Sequence, residues 1–116
     1  MKRIALLGMP NTGKSTLFNR LTGAHAKVGN WPGLTVELLS AKLLVGDQMV
    51  QLVDLPGIYD MHGFSDDEKV VTTFLATQTT DLLVVLLNTS QLDRQLNFVQ
   101  QMMQQDIPVL LVMNMV

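Results

Sequence analysis

Cysteine is absent from the 116 residues. Its absence excludes a disulfide framework and any thiolate metal centre, and it fits a reducing compartment. Charge is scarce too: 16% of residues are Asp, Glu, Lys or Arg, and the net charge is −2. Bulk electrostatics therefore recommend neither nucleic acid nor an anionic membrane as a partner. Long apolar runs are missing. The longest, Leu82 to Leu87, falls far short of the ~20 residues needed to span a bilayer. The start Met1-Lys2-Arg3-Ile4 is charged, and its apolar stretch stops at a glycine loop. It reads as a strand, not a signal peptide, and the chain is expected to be soluble. Internal repeats and low-complexity segments are also lacking.

What is present begins with Gly8-Met9-Pro10-Asn11-Thr12-Gly13-Lys14-Ser15. The octapeptide fits G-x-x-x-x-G-K-[ST], the loop that cradles nucleotide phosphates. An apolar strand, Ile4 to Leu7, runs into it, and a helical stretch, Ser15 to Leu21, leaves it. Glycine at 8 and 13 lets successive N–H groups turn inward toward phosphate oxygens, and the helix N-terminus adds partial positive charge. Lys14 is placed to reach the β- and γ-phosphates and Ser15 to ligate Mg²⁺. Gly8, Pro10, Asn11, Thr12, Gly13, Lys14, Ser15 and Thr16 are thus candidate nucleotide-binding residues. The loop alone leaves ATPase, kinase and GTPase open.

Apolar, strand-like runs alternate with helical ones, which predicts an α/β domain with a mainly parallel sheet. The first strand is expected at about 2–7 and the first helix at about 14–22, with Gly23 as its terminator. Residues 28–33, rich in turn formers, read as a loop. Strands at about 35–45 and 48–54 meet at Gly46-Asp47, a two-residue hairpin turn, and form the antiparallel exception in the sheet. Ser65 and Glu68 make a capping box for a helix at 66–77. Leu82 to Leu87 is apolar on both faces, as a central parallel strand should be. Thr89 or Ser90 opens a helix of about fourteen residues whose face carries Leu92, Leu96, Val99 and Met103. Val109 to Met113 is the last strand, and Met102, Met103 and Met113 read as core fillers.

Three further features narrow the chemistry. Asp54-Leu55-Pro56-Gly57 ends a strand about forty residues after Lys14. Asp54 can approach the Mg²⁺ shell there, and Gly57 can offer its N–H to a γ-phosphate. Thr35 lies in the loop between the first helix and the second strand, where a hydroxyl closes the Mg²⁺ shell once a γ-phosphate draws its loop in. Asn114 ends the last strand where GTPases place the asparagine of their N-x-x-D guanine motif. It reads equally well as a strand-end turn residue.

The string Val28-Gly29-Asn30-Trp31-Pro32-Gly33-Leu34-Thr35-Val36-Glu37 resembles switch I of the bacterial ferrous iron transport protein B (FeoB) family. Leu17-Phe18-Asn19, Leu21-Thr22-Gly23 and Asp54-Leu55-Pro56-Gly57-Ile58-Tyr59, with Ser65 and Glu68, are similar to the same family. The chain departs from it at Tyr59-Asp60-Met61, where the family has Tyr-Ser-Leu. The resemblance implies a P-loop NTPase fold of the TRAFAC, Ras-like type, a mostly parallel sheet with one antiparallel hairpin strand. Residues 1–116 would be a GTP-binding G domain, C-terminally truncated after the fifth strand. It implies GTP/GDP and Mg²⁺ as ligands, with Gly33, Leu34 and Thr35 of switch I joining the nucleotide site. Mg²⁺ would be held by Ser15, Thr35 and Asp54. It further implies hydrolysis coupled to Fe²⁺ passage, a helical regulatory domain, a transmembrane iron-permeation region, and a place on the cytoplasmic face of the bacterial inner membrane.

Ras-like enzymes orient the attacking water with a glutamine just after D-x-x-G. Here that position is Ile58, which can neither donate nor accept. The water must then be placed by backbone groups of switch I or II, by Thr35 or by a metal, and the catalytic candidates are Asn11, Lys14, Thr35 and Gly57. The resemblance implies that Asn11 holds a K⁺ beside the phosphates, supplying charge that an arginine finger supplies elsewhere. The plainer alternative is that Asn11 hydrogen-bonds its own loop. Slow, K⁺-assisted GTP hydrolysis is expected. Two other readings stay open, a nucleotide-gated module with negligible turnover and a soluble Era- or Der-like GTPase. His25 and His62 are read as surface or packing residues, and Asp66-Asp67-Glu68 as acids favoured by the helix dipole. An uncovered last strand predicts self-association of the chain.

Overall fold

The computed structural model describes residues 1–10, 12–62 and 65–114. The chain alternates strand and helix: β1 (Lys2–Gly8), α1 (Lys14–Thr22), β2 (Lys27–Asn30), β3 (Glu37–Val45), β4 (Gln48–Asp54), α2 (Asp66–Thr77), β5 (Leu82–Asn88), α3 (Leu92–Met103) and β6 (Val109–Asn114). The six strands form one sheet in the order β2-β3-β4-β1-β5-β6. β1 pairs in parallel with β4 and β5, and β5 in parallel with β6. β3 is antiparallel to both β2 and β4, so it alone runs against the rest.

Alternation along β1 sorts its side chains between two layers. Ala5 and Leu7 join Val53, Leu83 and Val85 under Phe74 of α2 and Phe98 and Met102 of α3. Leu6 points the other way, to Leu52 and Phe18 of α1. Each buried phenylalanine contributes about 1.5–3 kcal/mol by leaving water. Helices thus cover both sheet faces, and the free edge of the fold is where the parallel strands end. Gly8, Asp54, Asn88 and Asn114 all terminate strands there. The chain leaves β1 for one side of the sheet and returns through β5 on the other. This puts the β1 terminus at a topological switch point, where open α/β sheets bind ligands.

Element ends follow local chemistry. Gly13 (φ 85°) caps the start of α1 in the left-handed region, and Gly23 (φ 55°) closes it. Ser65 Oγ accepts from the Glu68 N–H at 3.1 Å, so Ser65 caps α2 as expected, and the Glu68 carboxylate turns back to accept from the Ser65 hydroxyl at 3.1 Å.

Three local expectations need correction. Residues 28–33 are not all loop, because Lys27–Asn30 forms an edge strand along β3, with Val28 opposite Leu39. Its residues are mostly exposed, so no alternating apolar pattern marks it. The sheet accordingly reaches residue 114 with six strands, not five. Second, Thr89–Gln91 is a 3₁₀ turn, started by Asn88 Oδ1 accepting from the Ser90 N–H at 2.9 Å, and α3 proper begins at Leu92. Third, α3 buries Gln95, Phe98, Val99 and Met102, while Leu96 and Met103 are 59% and 66% exposed. Of the methionines read as core fillers, Met102 is buried and Met103 and Met113 are exposed. Among the described residues no helix is long and apolar enough to cross a membrane.

Candidate functional site

The loop after β1 is shaped by what surrounds it. A Cβ on Gly8 would meet Leu86 O and Thr12 Oγ1, each at 3.0 Å, so glycine lets the loop leave the sheet close to β5 without a shift of its neighbours. Thr12 is buried, and its hydroxyl donates to Met9 O at 2.9 Å. Asn114, on β6, donates from Nδ2 to Thr12 O at 2.9 Å. The same amide occupies the place a Gly13 side chain would need. Asn114 therefore braces the loop from behind.

α1 begins at Lys14 with no side-chain cap on its first turn, which leaves N–H groups for an anion. Lys14 Nζ forms an ion pair with Asp54 Oδ1 from the end of β4. Both side chains are mostly withdrawn from solvent, at 10% and 15% exposed. The two opposite charges thus neutralise each other beside the loop. Pro10, Gly13, Lys14, Ser15, Thr16 and Gly57 line one cleft of about 470 Å³, with Met9 and Asp67.

Gly57 sits hard against the loop. A Cβ there would lie 3.1 Å from Pro10 N and 3.2 Å from Pro10 Cα. The next residue, Ile58, donates its N–H to Gly8 O at 3.1 Å, and its side chain is only 2% exposed. It lies in the core, so this position offers nothing to a water. Further along, the His62 N–H donates to Asp60 Oδ1 at 3.1 Å. That bond, and then one involving the Glu68 side chain, holds the Asp60 carboxyl below the ordinary carboxylate range.

Gly33, Leu34 and Thr35 are not in this cleft. Trp31 O accepts from the Leu34 N–H at 3.1 Å across Pro32-Gly33 (Gly33 φ 81°), the pattern of a type II turn. The turn is fixed at Trp31, whose ring meets Phe74 edge-on at 5.1 Å and lies 4.9 Å from the Arg3 guanidinium carbon. That leaves Thr35 exposed on a neighbouring cleft with Asp66, Asp67 and Lys69. Asp67 lines both clefts, a position its helix-start sequence context did not reveal. Asn11 lies outside the described residues. His25 and His62 are both exposed.

A family model described as ferrous iron transport protein B matches residues 2–116. The chain is 49% identical over 114 residues to the Fe(2+) transporter FeoB of Synechocystis sp., covering 98% of this chain and 19% of that protein. It is 40% identical over 116 residues to the Salmonella typhimurium Fe(2+) transporter FeoB, covering 97% of this chain and 15% of that protein. The chain thus spans a fifth or less of the curated relatives it matches. Among solved structures, the G domain of the T. maritima FeoB iron transporter superposes with a TM-score of 0.89 at 34% identity, covering 97% of this chain and 71% of that one. A mutant S. thermophilus NFeoB bound to GDP superposes with a TM-score of 0.86 at 41% identity, covering 98% and 44%.

The packing of Gly57 on Pro10 sets a test. Gly57→Ala should displace the loop and weaken nucleotide binding about tenfold or more, the equivalent of about 1.4 kcal/mol. Gly29→Ala, where a Cβ meets nothing within 4 Å, should not. Equal affinities in a fluorescent-nucleotide titration would contradict this account of the contact.

Proposed function

This chain belongs to the ferrous iron transport protein B family, and from that premise we propose that residues 1–116 are part of a G domain that binds guanine nucleotide and hydrolyses GTP. In the longer protein it would couple nucleotide state to Fe²⁺ uptake, alongside a helical regulatory domain and a transmembrane permeation region at the cytoplasmic face. The observation that carries the reading is the Lys14–Asp54 ion pair at the phosphate cleft. It is the arrangement expected of a site whose two charges wait for phosphate and a metal.

Mg²⁺ fits the donor set. The Asp54 carboxylate at the cleft and the Ser15 hydroxyl lining it are hard oxygen ligands of the kind that ion takes. Bound there, Mg²⁺ would neutralise charge on the phosphate oxygens. Thr35 would join only if its loop left its place beside α2. On the protein's side, Lys14 and the first-turn N–H groups of α1 hold the phosphates, Gly57 presents its amide to the γ-phosphate, and Asn114 keeps the loop in register. Buried Ile58 leaves water positioning to other groups, for which the sequence offers Asn11 with K⁺. Ile58 also favours the second reading, a nucleotide-gated module with negligible turnover. β6 is one of the two sheet edges among the described residues, with Leu110, Leu111 and Met113 exposed, which supports self-association.

Turnover separates these readings. GTP hydrolysis should be slow, faster in K⁺ than in Na⁺, and lost with nucleotide binding in Lys14→Ala. Equal rates in the two salts would remove the K⁺ role. Binding without turnover would select the gated module, and undiminished binding by Lys14→Ala would overturn the proposed function.

A further inference from the structure

The segment that follows Asp54 runs over the phosphate loop and then turns toward α3. One end of it is fixed at Ile58, by the bond to Gly8 O and by burial of the side chain. The other end is fixed from a distance. The Met61 N–H donates to Gln101 Oε1 at 2.7 Å, across forty residues of sequence. Met61 itself packs against the main core.

Gln101 is a firm point of attachment because α3 is locked to the sheet. Its neighbour Met102 and nearby Phe98 are fully buried. Six residues earlier, Gln95 is also buried, and it clasps the end of β5. Its Oε1 accepts from the Asn88 N–H at 2.8 Å, and its Nε2 donates to Asn88 O at 2.6 Å and Gln91 O at 2.8 Å. α3 therefore cannot slide along β5 without breaking bonds made inside the protein. An acceptor carried by this anchored helix therefore restrains the segment that donates to it.

We infer that Gln101 is a positioning residue for the γ-phosphate contact: with Ile58 it spans the segment 58–61, and so holds Gly57 where it lines the phosphate cleft. The inference rests on the guanine-nucleotide reading above. A diphosphate does not reach Gly57, so it gains nothing from the restraint. A triphosphate does reach it, and without Gln101 it must order the segment itself. Loss of one hydrogen bond of this kind corresponds to about a three- to tenfold weaker triphosphate.

Two variants test the inference in the 116-residue chain. Gln101→Met keeps the volume and removes the acceptor, and Gln101→Glu keeps an acceptor oxygen. Fluorescent GDP and a fluorescent non-hydrolysable GTP analogue are titrated, and exchange of the Met61 amide is followed by NMR. Gln101→Met should weaken the triphosphate about three- to tenfold with GDP within about twofold, and should speed exchange at Met61. Gln101→Glu should resemble the wild type in both. An unchanged triphosphate-to-diphosphate ratio, tighter triphosphate binding, or a Glu variant that behaves like the Met variant would overturn the inference. Failure of the wild-type chain to bind either nucleotide would instead overturn the guanine-nucleotide reading, and the coupling with it.

Discussion

A phosphate loop works only if its backbone is bare on the ligand side and held still from behind. Here the holding is done by close contacts that leave little room for a side chain. Gly8 lies against β5, Gly13 against the Asn114 amide, and Gly57 against Pro10. Each close approach joins the loop to a different strand end, which is why the site needs the ends of β1, β4, β5 and β6 at one edge of the sheet. The ion pair between Lys14 and Asp54 depends on that convergence as well. It links α1 to β4 and keeps both charges compensated while they are largely out of water, where an unpaired charge is costly.

Much of this was legible in the sequence where local chemistry sets the structure. The glycines at 13 and 23 delimit α1, and Ser65 with Glu68 starts α2, because caps act within a few residues. Of the residues the motifs singled out, Gly13, Lys14 and Gly57 line one cleft, and Asp54 pairs with Lys14 beside it. β2 was hidden, since a short edge strand with exposed side chains carries no period to detect. The face of α3 was misread because the pattern Leu92, Leu96, Val99, Met103 counts glutamine as polar. Gln95 is buried all the same, since three hydrogen bonds satisfy it at the end of β5, and this turns Leu96 outward.

The rest of the site was illegible for a related reason. Asn114 to Thr12 and Met61 to Gln101 are side-chain to backbone bonds between distant segments. Nothing in either segment's own pattern announces such a bond. One acts on the loop after β1 and the other on the segment after Asp54. The two loops also differ in how firmly they are held. Switch II is tied at both ends of 58–61, whereas beyond Trp31 the switch I turn rests beside α2 with Thr35 exposed. That difference is what a nucleotide sensor needs, a prepared contact on one side and a free one on the other.

Under the proposed function, Lys14 and Asp54 each stand in for the other's ligand until phosphate and metal arrive. Calorimetric titration of GDP without Mg²⁺, into wild type and Asp54→Asn, tests it most directly. Freed of its partner, Lys14 should bind the diphosphate more tightly in Asp54→Asn than in wild type, and adding Mg²⁺ should then bring the variant little further gain. Metal-free binding that is unchanged or weaker in Asp54→Asn would contradict the account.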